Sequence, residues 1–164
     1  MTEVTIRDAT EVDAEALLAI YNHEVLTGTA TLDLEPRTLD GQIEWIRRHQ
    51  GANPVIVAVV DDEVVGFASL SPFKERAAYR TTVENSIYVA PGKQGMGIGN
   101  RLMAEILERA RSHGFHSVIA RIAGDNPGSI AVHKRHGYQV VGVEREVGRK
   151  FGQWLDVTEL QLLL

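Results

Sequence analysis

A chain of 164 residues, 44% apolar and 24% charged, has the balance of one water-soluble domain with a real core and is too short for two. A net charge of -5 and a pI near 5.7 argue against nucleic acid as the main partner, because phosphate binding usually needs a basic surface. With no cysteine, disulfides, thiolate metal sites and a cysteine nucleophile are excluded.

The opening residues, 1–8, are polar and do not resemble a signal peptide. Residues 4–10 read as a short strand ending in helix-capping residues. Ala14, Leu17, Leu18, Tyr21 and Val25 then recur at helical spacing. Gly28, the neighbouring threonines and Asp33 break that pattern, so residues 26–36 read as loop. Thr38 is placed to cap a second helix with Leu39, Ile43 and Ile46 on one face. "PVIVAVV" and "VVGFASL" flank "DDE", which reads as a hairpin with an acidic turn. Residues 71–80 are polar and irregular. Residues 83–90 form the next strand, stopped by Pro91. Leu102, Met103, Ile106, Leu107 and Ala110 give a helix that ends near Gly114. "SVIARIA" is another strand, and Asp125 or Asn126 opens a short helix with Pro127 in its first turn. "GYQVVGV" and "WLDVTELQLLL" are the last two strands. No repeat, linker or low-complexity run interrupts the chain, so residues 1–164 are expected to form a single α/β domain of mixed sheet and flanking helices. No apolar run approaches the roughly 20 residues needed to span a membrane, so the expected location is cytoplasmic, without a membrane partner.

"QGMGIG" stands between a strand and an amphipathic helix. Its glycines allow close backbone approach, and the helix start collects unpaired N–H groups and the positive dipole end. This is an anion site suited to phosphates, with a plain tight turn as the alternative. The P-loop pattern fails because Gly97 and Gly99 are followed by Asn100 and Arg101, not Lys and Ser or Thr. The dinucleotide pattern fails at Asn100 or at Leu102.

With these residues the sequence resembles the GCN5-related N-acetyltransferases. Gln94, Gly95, Met96, Gly97, Ile98 and Gly99 match that family's pyrophosphate loop, and "NPGSIAVHKRHGY" matches its pantetheine element. The resemblance covers essentially the whole chain. Within the family, "IYNHEVLTGTATLD", "TVENSIYV" and "KFGQWLDV" are similar to the phosphinothricin and methionine sulfoximine acetyltransferase branch. The resemblance implies a mixed, mostly antiparallel central sheet flanked by helices, acetyl-CoA as co-substrate, a small amine as acceptor and a homodimer. It leaves open which amino acid or analogue is used, and whether herbicide or antibiotic resistance is the role.

Acetyl transfer to an amine needs a polarised carbonyl, a neutral nucleophile and tight positioning. Aliphatic amines are largely protonated at neutral pH, the lysine reference being roughly 10.4, so a base is useful. Glu84 sits among strand residues expected to be buried, where a carboxylate is costly unless paired or functional. A salt bridge with Arg80 is the structural alternative. Its match to the family's catalytic glutamate makes Glu84 the implied base. The resemblance further implies that backbone groups around Ile87, Tyr88 and Val89 pair with the pantetheine arm, with the Val89 amide polarising the thioester. Asn126 and Ser129 are implied pantetheine contacts, with helix capping as the rival reading of Asn126. Tyr138 is a candidate donor to the leaving sulfur, with a core aromatic as its rival. His133 matches a branch histidine and is carried as a cofactor contact, although Lys134 replaces the glutamate that follows it there. Arg80 can hold a substrate carboxylate in a bidentate grip. Tyr21, Asn22, Thr31, Phe73 and Tyr79 are candidate pocket residues. Phe151, Trp154 and Asp156 match the branch's C-terminal motif, and Trp154 is read as structural. The six histidines lack zinc-site spacing, so no metal is expected. The basic runs 134–136 and 145–150 read as solvated faces.

Three rivals have distinct signatures. A protein N-terminus or lysine as acceptor calls for an open groove, whereas a loop closing over residues 28–33 favours small molecules. A non-catalytic acyl-CoA sensor would have lost the glutamate. A nucleotide module needs the missing lysine.

Overall fold

The computed structural model describes residues 3–164; Met1 and Thr2, which begin the polar start, lie outside the described residues. Strand β1 (Thr5–Asp8) leads through a 3₁₀ turn into helices α1 (Ala14–Thr27) and α2 (Leu39–Arg48). Strands β2 (Val55–Val60), β3 (Glu63–Pro72) and β4 (Thr82–Val89) follow. Helix α3 (Ile98–Ser112), strand β5 (Ser117–Ala123) and helix α4 (Pro127–Arg135) come next, and β6 (Gln139–Lys150) and β7 (Gln153–Leu163) close the chain. The expected order of elements is the observed one.

The local signals act as their chemistry dictates. Thr38 Oγ1 accepts the Gly41 N–H at 3.1 Å and caps α2. Asn126 Oδ1 accepts the Ser129 N–H at 3.1 Å and caps α4, with Pro127 in its first turn. Asp61 and Asp62 both take positive φ, 49° and 63°, the geometry of a two-residue hairpin turn. One element runs longer than expected. β6 does not stop at Val143 but continues through the basic run to Lys150, so the solvated face expected there is carried on a strand, with Lys150 alone buried. Its residues are almost all exposed, which erases the alternation that marks a half-buried strand. The long partner β7 supplies the ladder, two register shifts absorb the mismatch, and a second tight turn at Phe151 and Gly152 joins the pair.

The sheet order is β1-β2-β3-β4-β5-β7-β6, antiparallel at every step except β4–β5. Leu102, Met103, Ile106 and Leu107 of α3 are buried against one sheet face. Burying such a side chain is worth about 1.5–3 kcal/mol. Leu17, Ile20 and Tyr21 of α1 and Ile46 of α2 pack with Phe67 on the other face. Alternation along β4 therefore divides its side chains: Glu84, Ser86 and Tyr88 face α1 and α2, and Asn85, Ile87 and Val89 face α3 and α4. Among the described residues no helix is long and apolar enough to cross a membrane.

The β4–β5 step positions the site. Parallel pairing covers only Thr82 to Glu84 against Ser117 to Ile119. Beyond Glu84 the two strands part, although β4 runs on to Val89 and β5 to Ala123. On its other side β4 stays paired with β3, with Gly66 opposite Val89. A Cβ at Gly66 would lie 2.9 Å from the Tyr88 carbonyl oxygen, so glycine lets the strands keep their close approach.

Candidate active site

The gap between β4 and β5 opens into a cavity of about 650 Å³, walled by the end of β4, residues 93–100 and one side of α4. Its strand wall carries unused backbone groups. Ala90 N–H bonds the Val65 carbonyl at 2.8 Å, so by alternation the backbone of Tyr88 points to β3 and that of Ile87 and Val89 points into the gap. Gln94 Nε2 donates to the Val89 carbonyl oxygen at 3.3 Å from that side.

At one end of the cavity, Gly95 and Gly97 hold positive φ of 80° and 79°, open to glycine and strained for other residues. Gly97 is the N-cap of α3 and no side chain caps the helix. The N–H groups of its first turn are thus left to a ligand at the positive end of the dipole. Lys93 and Arg135 add positive charge to the same wall. These features suit a diphosphate.

Glu84 does not line the cavity; it stands at the last paired position before the strands separate, with its side chain on the α1 and α2 face. It is half-buried, and burial pushes its carboxyl above the usual range. Arg121 opposes this and Glu159 adds to it. Arg121 is itself paired with Glu144 at 2.8 Å, and among the described residues no ion pair joins Glu84 to Arg80. The structural alternative of a salt bridge is therefore not realised.

A buried polar chain runs beneath the cavity. His133 Nδ1 lies 2.7 Å from the Ser129 carbonyl oxygen, which only accepts, so Nδ1 carries the proton. Burial keeps the ring neutral. Nε2 then accepts from Asn85 Nδ2 at 3.3 Å, and Asn85 Oδ1 accepts the Tyr138 hydroxyl proton at 2.9 Å. His133 lines the cavity, and it shares with Asn85 a second, smaller space between β4 and β5, whereas Tyr138 lines neither.

Residues 9–138 match the family model for the Acetyltransferase (GNAT) family. The chain belongs to the GNAT acetyltransferase family. It is 39% identical over 159 residues to the phosphinothricin N-acetyltransferase of Streptomyces coelicolor, covering 94% of this chain and 93% of that one. It is 38% identical over 162 residues to the L-methionine sulfoximine/L-methionine sulfone acetyltransferase of Pseudomonas aeruginosa, covering 98% and 94%. A phosphinothricin acetyltransferase from Sinorhizobium meliloti, solved in complex with acetyl-CoA, superposes with a TM-score of 0.95 at 37% identity, over 98% of this chain and 88% of that one. A ribosomal-protein-alanine N-acetyltransferase from Brucella melitensis gives a TM-score of 0.95 at 40% identity, over 98% and 99%.

In this GNAT chain the residues singled out from sequence divide into groups. Ile87, Val89, Gln94, Gly95, Gly97, Ile98, Gly99, Asn126, Ser129 and His133 all line the cavity. Met96 is exposed and does not line the cavity, and the Ile98 side chain is buried in the core, so Ile98 offers its backbone. Tyr88 also lines the cavity, but its backbone serves β3 and its ring packs on Tyr21 and Phe67. Asn126 both caps α4 and borders the cavity, so the two readings of it are compatible.

The pocket candidates of the first helix and loop serve the loop itself. Asn22 is used up by the Arg37 backbone, donating to its carbonyl at 3.0 Å and accepting its N–H at 2.9 Å. The Tyr21 hydroxyl bonds Thr31 and Asp33. Lys150, buried, donates to the carbonyls of Thr31 at 2.9 Å and Glu24 at 3.2 Å. Leu32 rests on Gly148, where a Cβ would meet it at 2.8 Å. The loop is thereby clamped down, and Ala30 lines the cavity. Phe73 and Tyr79 pack edge to face at 5.6 Å with Lys74 over both rings. They follow β3 and precede β4, at the Glu84 end, with Arg80 exposed beside them. Trp154, read as structural, is exposed on the β6–β7 hairpin with Arg149 over its ring at 4.7 Å. Asn85 and Lys150 escaped the sequence reading, because each acts through partners far along the chain.

The Tyr138 proton is committed to Asn85, which suits a supporting role better than donation to a leaving sulfur. Tyr138→Phe is expected to cost about 1–3 kcal/mol in a denaturant melt by orphaning Asn85 Oδ1. Saturating turnover should stay within about tenfold, short of the 10²–10⁴ effect typical of a lost general acid.

Proposed function

We propose that this GNAT enzyme moves an acetyl group from acetyl-CoA to the α-amine of a small amino acid or analogue of the phosphinothricin, methionine sulfoximine or methionine sulfone type. The observation that carries this reading is Glu84, unpaired and raised by burial where β4 leaves β5. The names of the Streptomyces, Pseudomonas and Sinorhizobium relatives support the substrate class, whereas that of the Brucella structure names a protein acceptor.

The residues present fit the donor. The uncapped start of α3 and the positive-φ glycines suit its diphosphate. The Ile87 and Val89 backbone groups suit the amides of its pantetheine arm, with Asn126 Nδ2 and Ser129 Oγ as further polar partners along the wall. Acetyl-CoA supplies the activated thioester carbonyl. The Val89 N–H is the proposed donor to that carbonyl oxygen, a fixed dipole that needs no reorganisation. Glu84 takes a proton from the arriving ammonium, directly or through a water. The freed nitrogen lone pair bonds the carbonyl carbon, the carbon–sulfur bond breaks, and the second proton that the nitrogen sheds on becoming an amide passes, directly or through water, to the departing thiolate. No covalent intermediate on the protein is involved.

The loop around residues 28–33, held down by Lys150 and by Leu32 on Gly148, is the closed arrangement expected for a small acceptor rather than a protein terminus. A homodimer belongs to the same reading. Its support is the apolar surface of the hairpin, where Val141, Val143, Val147, Phe151 and Trp154 are each at least half exposed. Light scattering should give twice the chain mass of 18.1 kDa, and Val143→Asp with Trp154→Asp should halve it. A monomeric wild type would refute the dimer.

Thiol release from acetyl-CoA tests the activity, with phosphinothricin, methionine sulfoximine, natural amino acids and an unrelated peptide as acceptors. Glu84→Gln should lower turnover on the amino acid by about 10²–10⁴-fold. Because burial raises the Glu84 pKa above its unfolded value, the ionised form opposes folding once the pH exceeds both values, and kcat/KM should rise with pH through that raised pKa. Glu84→Gln should therefore hold or raise the melting temperature at neutral pH while abolishing that limb. Full activity in the variant would remove Glu84 as the base.

A further inference from the structure

Ser71 stands directly opposite Glu84 across the β3–β4 ladder. Opposed residues of an antiparallel pair point to the same face, here the one covered by α1 and α2. Two further serines, Ser69 and Ser86, form the next opposed pair on that face. Ser71 differs from them because its hydroxyl is oriented from behind.

His49, at the end of α2, supplies the orientation. Its Nε2 lies 2.9 Å from Ser71 Oγ, and its Nδ1 lies 2.8 Å from the Trp45 carbonyl oxygen. The carbonyl only accepts, so Nδ1 carries the ring proton. Burial, together with the nearby Arg37 guanidinium, disfavours a second proton. Nε2 is thus a bare lone pair, and the Ser71 proton goes to it. The Trp45 ring lies against the imidazole, 4.0 Å between centroids and tilted by 32°, and fixes its plane. What Ser71 presents to the Glu84 side is oxygen lone pairs without a proton.

We propose that Ser71 Oγ is a contact for the attacking amine, accepting one of its N–H groups while Glu84 removes another proton, and that His49 is the positioning residue that fixes this polarity. The proposal rests on the α-amine reading above and adds a source of its specificity. Two acceptors side by side match a primary ammonium, which has three N–H groups and keeps two after losing one to Glu84. An alcohol that surrenders its only proton to Glu84 has none left for Ser71. The pair therefore selects nitrogen nucleophiles over oxygen nucleophiles before any chemistry occurs. Neither residue carries a local sequence signal, since they lie 22 positions apart.

Steady-state kinetics on the best amino acid of the acceptor panel test this, using wild type, Ser71→Ala, Ser71→Thr, His49→Phe and the Ser71→Ala/His49→Phe double variant. Ser71→Ala should raise the amino-acid KM about tenfold or more, as expected for a lost hydrogen bond to a charged group, and leave the acetyl-CoA KM unchanged. Ser71→Thr should restore it. His49→Phe keeps an aromatic ring and removes both nitrogens; it should raise the same KM when Ser71 is present and add nothing when Ser71 is already alanine. An unchanged amino-acid KM in Ser71→Ala would overturn the contact. A His49→Phe effect of equal size in both backgrounds would overturn the positioning role. Wild-type inactivity on every amino acid would overturn the substrate reading, and this proposal with it, whereas active wild type with indifferent Ser71 variants would overturn this proposal alone.

Discussion

The separation of β4 from β5 is the constraint on which the rest of the site depends. Backbone N–H and C=O groups inside a sheet are normally paired, and leaving them bare beside a cavity is costly unless a ligand or water takes them. Here the ladder stops at Glu84 and Ile119, and the backbone of Ile87 and Val89 faces the gap, where among the described residues only the Val89 carbonyl is met, by Gln94 Nε2. The same divergence makes room for the 650 Å³ cavity, and Glu84, half out of water, stands at the last paired position where the strands part. A binding edge and a perturbed carboxylate thus arise from one topological feature, the single parallel step in an otherwise antiparallel sheet.

Other parts of the fold hold that opening in shape. The close approach at Gly66 keeps the end of β4 paired against β3. Helix α3, buried through Leu102, Met103 and Ile106, fixes the glycine loop at its uncapped start. The Tyr138–Asn85–His133–Ser129 chain ties β4 to α4 across the gap, with every proton assigned by the carbonyl at its end. Lys150 anchors the loop after α1 by two backbone carbonyls, though burial disfavours its charge. Charged and polar groups in such places need partners, and each has found them in another element.

Much of this was legible in the sequence because the signals are local. Thr38, Asn126 with Pro127, and the Asp61–Asp62 turn mark element boundaries by chemistry that acts within three residues. The glycine loop, Glu84 and the α4 segment were recognisable for the same reason. β6 was legible only in part, since an exposed edge strand has no buried face to impose alternation. Asn22 and Thr31 were polar residues near the right helix, but their bonds run to loop backbone that the sequence does not reveal. Tyr138 and His133, five positions apart, could be ranked only once the cavity walls were known. The Ser71–His49 and Lys150–Thr31 contacts join distant segments, and nothing short of the fold brings them together.

Residue-resolved amide hydrogen exchange, with and without acetyl-CoA, tests the central claim most directly. The account predicts that acetyl-CoA slows exchange at Ile87 and Val89 and in the first turn of α3. Tyr88 and Ala90, whose amides already face β3, should change little. Tight acetyl-CoA binding with no added protection at Ile87 and Val89 would contradict the open strand edge as the donor's binding surface.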